Sequence, residues 1–208
     1  MIRRMLRRTA LSVAVFAGSL AVLGKANQVC GADAQPGAAA QAVKGETYYT
    51  QFSLYYDDLA HETTNYRTRT LVPINTPVTF VAVRTSTPGL KGERTPLQWP
   101  EIVVKLPEGR ELRIRNVKKY SGEELEGIFS RTLGKAKVDL SAFSEPERTS
   151  ILEGQVEPGM SKAAVLRAMG FPPRHQTPSL TSNEWTYWRN RLASFVVRFR
   201  DDKVVSTR

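Results

Sequence analysis

The sequence predicts an α+β fold: an N-terminal β-rich unit, a helical connector, and C-terminal helices packed on a three-stranded antiparallel sheet. Three observations carry this. Alternating and β-branched runs fill residues 46–117, helical spacing with capping signals begins near 118, and three alternating runs follow residue 184. Hydrophobic residues are 41% of the chain and charged residues 24%, a balance that buries a core.

Within the β-rich unit, 46–117, Thr47 to Tyr56 is aromatic-rich and Phe80 to Val83 is a short β-branched run. Glu101–Leu106 and Glu111–Arg115 flank Pro107-Glu-Gly-Arg110, a hairpin signal. Leu112 and Ile114 alternate there with Arg113 and Arg115, which read as a solvated strand face. The number and spacing of the runs suit a short barrel of SH3-like size.

The connector, 118–152, holds two capping-box spacings. Ser121-Gly-Glu-Glu124 precedes Leu125, Ile128 and Phe129 on one helical face, with Gly134 as the stop. Ser144-Glu-Pro-Glu147 precedes Ile151 and Leu152.

The last section, 153–208, begins with the turn Pro158-Gly-Met160 and the natural N-cap Ser161. Ala164, Val165, Ala168 and Met169 then keep helical spacing, Gly170 supplies a left-handed terminus, and Pro172-Pro173 forbid continuation. Glu184–Asn190, Ser194–Phe199 and Val204-Val205 follow as a meander.

The N-terminus, 1–34, reads as an export signal with its cleavage region. Arginines crowd the first eight residues, Thr9 to Leu23 is a short apolar core, and small-residue cleavage sites end at Ala26 and Ala34. The apolar run is shorter than the roughly 20 residues that span a bilayer, so cleavage is expected ahead of a retained anchor. Residues 35–45 read as a flexible leader, rich in Ala, Gly and Gln. Cys30 is the single cysteine, so no internal disulfide forms. Asn27 and Val29 occupy the places where a lipoprotein signal needs a leucine-like and a small residue, so lipidation of Cys30 is not expected. The net charge is +10; residues 1–34 hold five basic and one acidic residue, which leaves +6 after cleavage. That excess favours anionic partners, either acidic protein faces or lipid headgroups. No nucleic-acid-binding motif accompanies it.

An ordered series of motifs runs through the last section: Gly159-Met-Ser-Lys-Ala-Ala-Val165, Met169-Gly-Phe-Pro172, Trp185-Thr-Tyr187, and Phe199 through Val205. It resembles the SmpA/OmlA (BamE-like) domain family over roughly residues 151–208. The resemblance implies paired helices on a three-stranded antiparallel sheet. It assigns Gly159, Met160, Lys162, Val165, Gly170, Pro172, Trp185, Tyr187, Phe199 and Val205 to the fold signature. It further implies a non-catalytic scaffold or binding module at the periplasmic face of an outer membrane, with the outer-membrane assembly machinery among its partners.

Catalytic and metal readings find little support. His61 and His175 are the only imidazoles, and neither stands in a metal-ligand spacing. There is no nucleophile elbow, P-loop or dinucleotide fingerprint. Asp57-Asp58 reads as a turn. The expectation is therefore no enzyme, no metal and no cofactor. Candidate partner-binding residues are Arg174, His175, Trp188, Arg189 and Arg191. Alternation sends Trp188 to the face opposite Trp185 and Tyr187, where it is either covered by the N-terminal unit or exposed beside the arginines. The leading expectation is an exported envelope protein that binds other proteins. A wall-polymer (peptidoglycan) binder, through the aromatic run Tyr48 to Tyr56, is the alternative. An envelope enzyme or inhibitor is a minor one.

Overall fold

In the computed structural model, which describes residues 42–88 and 94–208, the aromatic run Thr47–Tyr56 forms two strands instead of one. The export signal, Cys30 and most of the leader lie outside the described residues. β1 (Thr47–Thr50) and β2 (Leu54–Tyr56) part at Gln51–Ser53. There Ser53 N–H donates to the Arg167 carbonyl at 3.0 Å, and its hydroxyl donates to the Ile151 carbonyl at 3.2 Å. The break is thus set by bonds to the C-terminal half, which local alternation does not report.

The strands after β2 are β3 (Ala60–Glu62), β4 (Thr70–Val72), β5 (Pro77–Pro88), β6 (Arg94–Lys105) and β7 (Glu111–Arg115). Four helices and four strands complete the chain: α1 (Lys118–Ser121), α2 (Leu125–Thr132), β8 (Leu133–Gly134), α3 (Glu145–Glu153), α4 (Lys162–Met169), β9 (Glu184–Trp188), β10 (Ser194–Arg200) and β11 (Lys203–Thr207). The fold is α+β.

The large sheet runs β3-β7-β6-β5-β1-β8. β5 and β6 make a long hairpin whose register shifts at Phe80/Ala82 and Arg84/Ser86. Such bulges increase local twist and curl the sheet. The sheet ends on β3 and β8, which do not pair with one another, so it is a curled sheet and not the closed barrel expected. The expected hairpin at Pro107–Arg110 joins β6 to β7, with Gly109 at φ 93°.

The segment 118–152 divides between two cores. α2 lays Leu125, Ile128 and Phe129 into a core with Val78, Phe80, Ile102, Val104 and Leu112, and β8 pairs with β1. α3 instead places Ile151 in a second core with Val165, Met169, Trp185 and Tyr187. The capping box at Ser144 forms, with Ser144 N–H donating to Glu147 at 3.1 Å. The one expected at Ser121 does not: Gly122 adopts the left-handed conformation after α1, and the Ser121 hydroxyl donates to Asn116 at 2.8 Å.

The C-terminal meander has the order β11-β10-β9. Asp201 and Asp202, at φ 50° and 58°, form the two-residue turn between β10 and β11. Two left-handed residues give the turn twist that matches flanking strands.

β2 joins the two cores. Leu54 and Tyr56 enter the first core and Tyr55 enters the second, because successive strand side chains point to opposite faces.

Candidate functional site

Trp188 sits at the seam between the two halves. Its backbone bridges to Tyr66 in parallel fashion, and its carbonyl accepts from Arg67 N–H at 2.9 Å. The residue is half-buried, and its indole Nε1 is enclosed without an acceptor among the described residues. The two sequence alternatives thus coexist: the N-terminal half covers the backbone of Trp188, while its ring meets the exposed His175.

His175 forms the middle of an aromatic column. Its ring lies 4.6 Å from that of Tyr120 and 6.4 Å from that of Trp188, nearly parallel to the latter at 19°. The helix stop explains this placement. Gly170 and the two prolines end α4, and the next residues cross over α1, where Arg174 N–H donates to the Tyr120 carbonyl at 2.9 Å. A side chain at Gly122 would come within 2.8 Å of Arg174 Cδ, so the glycine gives the arginine stem its path.

The structure brings Arg174, His175 and Trp188 together and adds Tyr120, Lys119 and Tyr66. Lys119 Nζ lies 5.3 Å from the Tyr120 ring centroid. Arg191 joins from the β9–β10 loop: with Tyr66 it lines a cleft of about 300 Å³ that also holds Asp57, Asp58, Glu62 and Arg115. Burial, then the Glu62 charge, raises the Tyr66 phenol above its usual range. Arg189 is not part of this group. Its guanidinium lies 5.5 Å from the centroid of Phe195, a ring of the second core. Sequence reasoning missed Tyr120 and Tyr66 because Tyr120 meets His175, and Tyr66 meets Trp188, from more than 50 positions away; nothing local marks them.

The motif residues serve the fold. Trp185 and Tyr187 are fully buried, and the Tyr187 hydroxyl donates to the Gly170 carbonyl at 2.9 Å. Gly170, at φ 73° and ψ −167°, faces the Phe52 ring, with Pro172 buried two residues on. Gly159 donates to the Val204 carbonyl at 2.8 Å beside the buried Met160, and Val165 and Phe199 are core. Lys162 is a latch: its ammonium reaches Asp202 at 2.9 Å and the Thr181 carbonyl at 3.2 Å. Val205 is the exception. It is 46% exposed, and its neighbour Val204 fills the core position, because strand alternation admits only one of the pair.

His61 is buried, with Nδ1 2.7 Å from the Tyr55 carbonyl, which can only accept. Burial lowers its pKa to about 4; the carbonyl opposes this and the Arg131 charge adds to it. A neutral, enclosed imidazole held by a backbone carbonyl is packed as structure. Asp57 and Asp58 occupy the β2–β3 turn, with Asp58 at φ 46°. The aromatic run proposed for wall binding is mostly interior: Tyr48, Phe52, Tyr55 and Tyr56 are buried. Among the described residues no group of three His, Cys, Asp or Glu side chains is placed to hold a metal ion. Among them, too, no helix is long and apolar enough to cross a membrane.

No protein-family model, curated protein or solved structure matches this chain.

Proposed function

We propose that this is a non-catalytic, exported envelope protein that binds other envelope proteins in support of outer-membrane protein assembly or envelope integrity. The export reading rests on residues 1–34, and the envelope role on the ordered motifs from Gly159 to Val205 that resemble the BamE-like family. One observation favours protein binding. Lys119, Arg174 and Arg191 form no ion pair among the described residues; Lys119 lies over the Tyr120 ring of the Tyr120–His175–Trp188 column, Arg174 bonds Tyr120 through its backbone, and Arg191 lines the cleft beside Tyr66. Aromatic rings beside unpaired cations are the composition of interface hot spots.

The test is affinity capture from detergent-solubilised envelopes with the mature protein and a His175→Ala/Arg191→Ala double variant. Both side chains are exposed, so folding stability stays within about 0.5 kcal/mol of wild type. The reading expects outer-membrane or barrel-assembly proteins with the wild type and their loss with the variant. Recovery of none, or equal recovery by both, sinks it.

A further inference from the structure

We propose that the groove between the β5–β6 hairpin and the α1–α2 segment is a saccharide-binding site, with Trp99 as its stacking platform. The groove encloses about 510 Å³, within the ~300–1,000 Å³ of small-ligand sites. Its walls are Val83 and Thr85 of β5, Gln98 and Trp99 of β6, and Lys119 and Glu126 from the helices.

The three tryptophans have different work. Trp185 lies against Phe199 with ring centroids 4.7 Å apart, and Trp188 belongs to the junction column. Trp99 is half-buried in the groove wall and meets no other ring among the described residues. A half-buried indole that lines a groove without a ring partner offers the flat apolar surface on which a pyranose ring stacks.

The rest of the lining selects the ligand class. An apolar ligand needs a mostly hydrophobic wall, whereas this one alternates Val83 with Thr85 and Trp99 with Gln98, and adds charges of both signs. A phosphate is disfavoured. Lys118 is already paired with Glu124, and Glu126 occupies the first turn of α2, where an anion would otherwise meet the helix N-terminus. The side chains of Gln98 and Glu126 make no hydrogen bond among the described residues; the Ser130 hydroxyl donates to the Glu126 backbone carbonyl at 3.0 Å, which leaves the carboxylate available. Together with the Thr85 hydroxyl these side chains give donors and acceptors in one concave surface whose lining carries balanced charge. Hydroxyl groups on an uncharged ring, each both donor and acceptor, satisfy that mixture. The inference is independent of the protein-binding reading: Trp99 and Gln98 variants report on one, His175 and Arg191 variants on the other.

The test titrates the mature protein with tetrasaccharides of N-acetylglucosamine and of β-1,4-linked glucose, and with a short neutral peptide, reading heat and tryptophan fluorescence. Saturable binding of at least one saccharide is expected. Trp99→Ala should weaken it at least ~10-fold, and Gln98→Ala or Glu126→Gln by a smaller factor, while Trp188→Phe leaves affinity unchanged. The fluorescence response should vanish in Trp99→Phe, the conservative variant that guards against misfolding, with circular dichroism checking each fold. No saturation by either saccharide, affinity undiminished in both Trp99→Ala and Gln98→Ala, or binding of the peptide alone would overturn the proposal.

Discussion

The hydroxyl of Tyr55 donates a 2.6 Å hydrogen bond to the carbonyl of Gly154, buried and 99 residues away in the chain. Tyr55 lies on β2, between Leu54 and Tyr56 of the first core, so one short strand ties α3 and the second core to the large sheet. Tyr55→Phe keeps the ring and removes the donor. Leaving a buried carbonyl short of its partner costs about 1–2 kcal/mol, measured by urea unfolding.

The same tie sets how the halves unfold. Tyr55, Ile74 and Ile151 complete the second core from outside residues 153–208. That segment expressed alone is therefore expected to lack a cooperative thermal transition, whereas the full mature chain shows a single one by calorimetry.

Two glycines of the motif series separate backbone strain from crowding. A Cβ at Gly170 would lie 2.5 Å from the Phe52 ring, and the φ/ψ pair of 73° and −167° is one that only glycine adopts freely. Gly170→Ala should cost about 3–5 kcal/mol. Gly159, at φ 88°, has nothing within 4 Å of the same added atom. Gly159→Ala should cost about 1–2 kcal/mol, from strain alone. Equal losses in thermal or urea melts would contradict this division.

Adjacent valines give a sharper contrast. Val204 is 2% exposed and Val205 is 46% exposed. Val204→Ala should lower stability by about 2 kcal/mol, and Val205→Ala by less than about 0.5 kcal/mol.

Acid should weaken the protein through His61. Above its ordinary pKa of 6.5 the ring is neutral whether the chain is folded or not. Between 6.5 and about 4 the unfolded chain takes up a proton that the buried ring refuses. The unfolded state then binds more protons, so stability falls as the pH drops through that window, by about 3 kcal/mol in full. Glu147 acts lower. Burial pushes its carboxyl up, but hydrogen bonds from Ser161 and Ser144 prevail and bring it from 4.5 to about 2. Its contribution is therefore lost only as the pH falls below 4.5. Urea unfolding at pH 7.5, 6 and 5 isolates the histidine, and His61→Gln should flatten the slope there.

Much of the local structure was legible. Ser161 caps α4 by accepting from Ala164 N–H at 3.2 Å, and the alternation of Trp185 with Tyr187 matches two fully buried rings. These signals survive because caps and strand faces depend on neighbours within a few residues. Where the reading failed, a partner outside the local pattern had intervened. Ser121 was drawn to Asn116, and Thr47–Tyr56 was bent by bonds to Ile151 and Arg167.

The sequence by itself determined the α+β class, the helix stop at Gly170 and the C-terminal meander, since periodicity and turn chemistry are properties of short segments. Tertiary structure alone decided which core each face of β2 enters, that 118–152 is shared between two cores, and that Tyr120, His175 and Trp188 form one column. The physical reason is that a pattern states which face of a segment is apolar. What covers that face depends on contacts made across scores of residues, and no local rule contains them.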